Sequence, residues 1–278
     1  MRIISSETIT ETVRQMCMEA NYNLPGDVRD AICRARQTEK SPVGGEILGK
    51  LLENADIARQ NQVPICQDTG MAVFFVEIGS DVHIEGKNLT DAINCGVREG
   101  YTDGYLRKSI VSDPIERVNT GDNTPAVIHY DFCDGDAIRI TIAPKGFGSE
   151  NMSALRMFSP SDGIDAVKQF VVDTVEQAGG NPCPPIVVGV GLGGNFESCA
   201  CLAKKALTRS AANDNAYYAA LEQELLERIN SLGIGPQGFG GRTTALNVYI
   251  ETAPTHIAGL PAAVNISCHV TRHLTKII

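Results

Sequence analysis

The sequence predicts an α+β fold, mixed α/β in character, with short strands surrounded by helices. Three observations carry this expectation. Apolar residues recur at helical spacing between Ser6 and Gln62. Beyond that point, short apolar runs bounded by turn residues are too brief for helices and read as strands. Glycine (27) and proline (13) are plentiful while aromatic residues make up only 5%, which suits backbone-built loops between short elements.

The elements follow in order. Ile47, Leu48, Leu51, Leu52, Ala55 and Ala58 form one helical stripe, and Pro64 ends the helical region. Met71 to Ile78 reads as a buried strand. Asn88 to Tyr105 returns to helix, with Leu89, Ala92, Ile93 and Val97 on one face. Ala126 to Tyr130 and Ala137 to Ala143 read as strands joined through an Asp134-Gly135-Asp136 turn, a hairpin signature. Asp162 to Gln177 reads as helix, Pro185 to Val190 as strand, and Asn195 to Arg209 as helix. A polar loop, Ser210 to Asn215, precedes a helix reaching about Leu232. Ala245 to Thr252 and Ala262 to Ser267 are the last expected strands. Residues 1–278 read as a single module with a soft lobe boundary near 160, at Ser159-Pro160-Ser161-Asp162. There is no internal repeat and no low-complexity segment.

Composition narrows the function classes. The net charge is −9 and no long Lys/Arg run occurs, so nucleic acid and anionic membrane are poor partners. No apolar stretch is long enough to span a bilayer. The N-terminus turns polar and acidic at once, without signal- or transit-peptide character. Nine cysteines in such a chain argue for a reducing, cytoplasmic setting and against a disulfide framework.

The cysteines sort by context. Cys17, Cys33 and Cys95 fall in helical patterns and read as small buried hydrophobes. Cys199 and Cys201, two apart on a helix, point roughly 200° from each other and cannot grip one ion. Cys133 ends a strand and reads as structural. Cys66, Cys183 and Cys268 instead occupy turns: Pro64-Ile65-Cys66-Gln67-Asp68-Thr69-Gly70, Asn181-Pro182-Cys183-Pro184-Pro185 and Asn265-Ile266-Ser267-Cys268-His269. The absence of any C-x-x-C excludes zinc-ribbon and bacterial-ferredoxin spacing. Three thiolates from distant segments suit an iron–sulfur cluster with one iron left open. An open iron is a Lewis acid, which points to a hydro-lyase rather than an electron carrier. A non-enzymatic iron–sulfur or zinc-binding subunit fits the trio as well.

Polar neighbours accompany these turns. Gln67 and Asp68 follow Cys66, and His269 and His273 follow Cys268. His256 stands in Pro254-Thr255-His256-Ile257-Ala258-Gly259. Such groups serve acid–base chemistry near a metal. Their ordinary readings are a turn cap for Asp68 and a satisfied loop histidine for His256. Two glycine-rich stretches, around Gly148 and from Gly235 to Thr244, could present N–H groups to a carboxylate. Arg107 could clamp one, or be an ordinary surface arginine. Gly189-Val190-Gly191-Leu192-Gly193-Gly194 satisfies G-x-G-x-x-G, but no acidic-ended strand follows to complete a βαβ unit, so a nicotinamide dehydrogenase is disfavoured. Close helix–strand packing or a pocket wall is the preferred reading of these glycines.

Several long segments carry a family resemblance: PICQDTGMAVFFVEIG (64–79), GFGSENMSAL (146–155), NPCPPIVVGVGLGGNFE (181–197), LAKKAL (202–207) and GIGPQGFGGRTTALNVYIETAPTHIAGLPAAVNISCHVTRH (233–273). On these, most of the chain resembles the α subunit, or N-terminal half, of class I iron–sulfur fumarate hydratases. The resemblance implies that Cys66, Cys183 and Cys268 hold a 4Fe–4S cluster through three irons, leaving one open. It implies that Gln67, Asp68, Arg107, the backbone at Gly148, and His256 face a small dicarboxylate, with Asp68 and His256 in catalysis. It further implies a separate β subunit bearing the remaining arginines, a lysine and a threonine base, in an α2β2 assembly. The L(+)-tartrate dehydratase α subunit is a near relative of the same family. The Gly-Phe-Gly-Gly-Arg-Thr-Thr run and the Ser-Cys-His-Val-Thr-Arg-His segment favour fumarate over tartrate, and mesaconate-type substrates stay open.

Overall fold

A computed structural model describes residues Met1–Ile278. The chain runs β1 (Arg2–Ser5), α1 (Ser6–Tyr22), α2 (Gly26–Thr38), α3 (Pro42–Asn61), β2 (Val73–Gly79), β3 (Val82–Glu85), α4 (Leu89–Asp103), β4 (Val127–Cys133), β5 (Ile138–Ile142), a one-turn α5 (Phe147–Glu150), β6 (Ala154–Phe158), α6 (Gly163–Ala178), β7 (Ile186–Gly194), α7 (Phe196–Ala206), α8 (Ala216–Ser231), β8 (Ala245–Thr255), β9 (Leu260–Ser267) and β10 (Leu274–Ile277). This is the expected α+β mixture. No helix is long and apolar enough to cross a membrane.

The chain forms two compact units. One comprises Met1–Pro25, Asn54–Phe147 and Arg272–Ile278, and the other comprises Gly26–Glu53 and Gly148–Thr271. The lobe boundary expected near 160 falls inside the second unit.

In the first unit a four-stranded sheet has the order β10-β5-β2-β4, and β1 pairs parallel with β3 in a separate two-stranded sheet. Ile9, Val13, Met16, Cys17 and Ala20 of α1 recur every three or four residues and are buried, the stripe that lets a helix lie on a neighbour. Leu89, Ala92, Ile93 and Val97 of α4 are buried as expected, and α1 and α4 pack together. Their common core includes Phe74, Ile138, Ile140 and Ile142, each contributing about 1.5–3 kcal/mol by burial. The hairpin expected of β4 and β5 does not form. β2 lies between them, parallel to β4 and antiparallel to β5. The physical reason is burial. β2 carries Val73, Phe74 and Val76 inside the core and takes a partner on each edge, whereas β4 is mostly exposed and serves as an edge strand.

In the second unit the sheet order is β6-β9-β7-β8, with β8 parallel and β9 antiparallel to β7. Nine fully apolar or glycine residues make β7 the central strand. The crossover from β7 does close, contrary to the sequence expectation: α7, a loop and α8 lead into β8, which returns parallel beside β7. The glycine motif nevertheless lies largely within β7 itself. A Cβ on Gly189 would stand 2.1 Å from the Ala203 carbonyl oxygen, and one on Gly191 would stand 2.1 Å from that of Cys199. These glycines seat α7 against the strand, as the packing reading holds. α7 starts with a capping box in which Asn195 Oδ1 accepts from the Glu197 and Ser198 N–H groups.

Candidate active site

In the first unit, the segment from Ile65 to Gly70 connects α3 to β2 and is pinned along its length. The Ile65 N–H donates to the Asn21 carbonyl at 3.0 Å, and Asn54 Nδ2 donates to the Ile65 carbonyl at 2.9 Å. Cys66 is half-buried, and the Asp68 N–H donates to its Sγ at 3.4 Å. Asp68 is engaged at every polar atom. Oδ1 accepts from the Gly70 N–H at 3.0 Å, and Oδ2 accepts from the Phe147 N–H at 2.9 Å. Its carbonyl accepts from Arg272 Nη2 at 2.7 Å. Two backbone donors thus fix the orientation of one carboxylate.

Tyr101 supports this segment from below. It is fully buried, and its hydroxyl donates to the Thr69 and Gly70 carbonyls at 3.0 and 3.1 Å. Burial pushes the phenol far above its ordinary value, so it stays a donor. Gly70 has φ +79°, and a Cβ there would meet the Lys145 backbone at 2.7 Å, so the turn after Asp68 requires glycine. Arg107 is brought to the same segment: its N–H donates to Thr69 Oγ1 at 2.9 Å while its side chain is exposed. Gln67 is exposed, and the Cys66 thiol donates to its Oε1 at 3.3 Å. Cys66, Gln67, Asp68 and Arg107 thus share one surface of the first unit.

In the second unit, Cys183 and Cys268 lie on loops fastened to each other. Cys183 adopts φ +55° ahead of a cis Pro184–Pro185 bond. Its carbonyl lies 3.0 Å from His269 Nδ1 and 3.5 Å from the His269 backbone nitrogen, which follows Cys268 directly. Gln237 Nε2 donates to the Pro184 carbonyl at 2.7 Å and stands 3.2 Å from His269 Nδ1. The second glycine-rich loop therefore packs against both cysteine loops. Glu39 anchors that loop, accepting from the Arg242 and Thr243 N–H groups at 2.9 and 2.8 Å. Partial burial opposes its charge, yet backbone donors at Ser41, Arg242 and Thr243 prevail and bring the carboxyl down to about 2. Gly148 is exposed near the same end of the sheet, since Glu150 accepts from Asn265 Nδ2 at 3.0 Å and Ser153 Oγ accepts from the Ile266 N–H at 3.1 Å.

His256 is elsewhere. It sits in the exposed connection from β8 to β9, where its Nδ1 accepts from the Ala258 N–H at 3.2 Å. Thr255 Oγ1 donates to the Gly194 carbonyl at 2.9 Å, which fixes this connection at the C-terminal end of β7. Cys183 precedes β7 and Cys268 follows its antiparallel neighbour β9. Both are therefore at the opposite end, about 26 Å away along a nine-residue strand.

None of the nine cysteines is in a disulfide. Burial pushes Cys199 up to about 11 and drives Cys17 higher still, which makes them inert. No three His, Cys, Asp or Glu side chains gather as ligands of a single ion. The donor set left on exposed or half-buried loops, Cys66, Cys183 and Cys268, has the soft sulfur chemistry of an iron–sulfur cluster. The N–H that Asp68 directs at Cys66 Sγ is the kind of donor that tunes such sulfur. Sequence reasoning missed Tyr101 and Arg272 as supports of the Asp68 segment, and Glu39 as the anchor of the second glycine-rich loop. Arg272 stood within view, four residues after Cys268.

The first unit thus presents a half-buried thiol beside an anchored carboxylate and an exposed guanidinium, and the second presents two cysteine loops fastened to each other. The chain belongs to the fumarate hydratase (Fumerase) family, whose model matches residues 10–276. It is 43% identical over 276 residues to the "Putative L(+)-tartrate dehydratase subunit alpha" of Methanocaldococcus jannaschii, across 96% of each chain. It is 33% identical over 276 residues to the L(+)-tartrate dehydratase subunit alpha of Escherichia coli O157:H7, covering 97% of this chain and 90% of the relative. The K12 counterpart is 32% identical over 276 residues, with the same shares.

Proposed function

We propose that this chain is the α subunit of an iron–sulfur hydro-lyase that hydrates fumarate reversibly to (S)-malate. Cys66, Cys183 and Cys268 would hold a 4Fe–4S cluster with one open iron, and a separate β subunit would complete the site in an α2β2 assembly. The observation that carries this reading is the fastening of the Cys183 and Cys268 loops to one another through His269, in a member of this family. When bound, the cluster supplies a Lewis acid for the departing or incoming hydroxyl.

The chain's own residues would do the rest. The Arg107 guanidinium and the N–H groups around Gly148 bind the substrate carboxylates and stabilise the negative charge that grows when the neighbouring carbon loses its proton. A lost donor of this kind costs about 2.7–4 kcal/mol. Gln67 orients the substrate. The Asp68 carboxylate, held by two N–H groups, assists proton transfer with a base on the partner. His256 lies at the far end of the β7 sheet from Cys183 and Cys268, so in an α2β2 assembly it would serve the site of the second copy, where it orients substrate or helps protonate the hydroxyl.

A second reading, dehydration of L(+)-tartrate, is favoured by the names of the relatives. Both readings use the same chemistry on four-carbon dicarboxylates. The deciding experiment coexpresses the chain with its β subunit without oxygen and compares kcat/KM for fumarate, (S)-malate, mesaconate and L(+)-tartrate. A preference for fumarate and malate supports the first reading. A preference for tartrate replaces it, and turnover of none removes both.

A further inference from the structure

Arg272 is only 5% exposed. Its Nη2 donates to the Asp68 carbonyl at 2.7 Å, while Nε and Nη1 are buried without a hydrogen-bond partner in the protein. A buried guanidinium is costly unless its charge is used, and a neutral carbonyl needs no charge to be satisfied. The other polar atoms of Asp68 are also held: the N–H on Cys66 Sγ, and the carboxylate by the Gly70 and Phe147 N–H groups. Arg272 closes the last degree of freedom of that peptide. It also sets a fixed positive charge beneath a segment bearing a carboxylate and a candidate thiolate.

We propose that Arg272 is a positioning residue of the site, holding the Asp68 carbonyl so that the Cys66-Gln67-Asp68 segment keeps a single conformation. The role in turnover rests on the hydro-lyase reading, whereas the conformational role does not. Arg272 touches no substrate in this account and acts through Asp68.

The test uses the coexpressed assembly and two variants, Arg272→Met and Arg272→Gln. Hydrogen exchange reads the conformational role without reference to activity. Amides in residues 66–70 should exchange ~10-fold to ~100-fold faster in the Met and Gln variants, the range of a lost charge-assisted hydrogen bond. Amides of β5 and α1 should stay at wild-type protection. In turnover, kcat should fall ~100-fold with KM within ~3-fold, because the interaction lost is one that serves the transition state. Added guanidinium should restore part of kcat in Arg272→Met. A general loosening across the first unit would mark Arg272 as merely structural and overturn the proposal, as would wild-type exchange in 66–70. Should Met fail to fold, Arg272→Gln decides: wild-type exchange and kcat there overturn the proposal, and local exchange with lowered kcat supports it. If the wild-type assembly turns over no dicarboxylate while the exchange pattern holds, the hydro-lyase reading falls and the positioning role stands.

Discussion

Asp68 shows how a short motif becomes a site. Its carboxylate accepts one N–H at each oxygen, from Gly70 and Phe147. In Asp68→Asn one of those donors would face an amide NH2, so the substitution is not isosteric in its hydrogen bonding. We expect kcat to fall ~100-fold or more, with the loss read by steady-state kinetics at unchanged cluster content. Tyr101→Phe should leave the Thr69 carbonyl without its Tyr101 donor and the Gly70 carbonyl with Asn123 alone, and destabilise the first unit by about 1–3 kcal/mol, measured by urea unfolding. That Cys66, Gln67 and Asp68 form one turn was legible in the sequence, where turn chemistry and family motifs mark them. Tyr101 and Arg272 were not, since their importance lies in burial and in whose carbonyl they meet. Both are properties of the folded chain.

At the scale of elements, helix and strand periods read well. Amphipathic stripes in α1 and α4 pack as their spacing demands. The errors share one cause, strand pairing between segments distant in sequence. β4 and β5 looked like a hairpin because a glycine turn joins them, but the more apolar β2 competes for both edges and takes the centre. Short half-exposed strands such as β1, β3, β6 and β10 lack a period long enough to register. Two predictions belong here. Gly191→Ala sets a methyl against the Cys199 carbonyl at 2.1 Å and should lift α7 from β7, costing about 3 kcal/mol or more and lowering the thermal midpoint of the assembly. Glu39 links the α2–α3 connection to the second glycine-rich loop, and its carboxyl is lowered from 4.5 to about 2. A depressed carboxylate contributes stability above its unfolded value, and that contribution disappears as pH falls from about 4.5 to about 2. The thermal midpoint of Glu39→Gln should therefore lie below wild type at pH 6, with the gap closing on acidification through that window. A constant gap would contradict the assignment.

For the whole molecule, the sheet of the second unit sets the constraint. β7 separates His256 from Cys183 and Cys268 by its full length, so one copy cannot offer both to one substrate. Coexpression of Cys183→Ser and His256→Ala chains with the β subunit should then regain activity that neither variant shows alone, because mixed assemblies contain one intact site. Absence of complementation would place His256 outside the chemistry. The sequence placed all of these residues on loops and could not say which loops meet, since the ends of a sheet are defined only once its register is known.

The most direct measurement is the iron content and optical spectrum of the anaerobically prepared assembly, for wild type and for Cys66→Ser, Cys183→Ser and Cys268→Ser in turn. Wild type should carry ~4 irons per α chain, and each serine variant should lose both the cluster spectrum and dicarboxylate turnover. Retention of a wild-type cluster and full activity in any one of them would contradict that expectation.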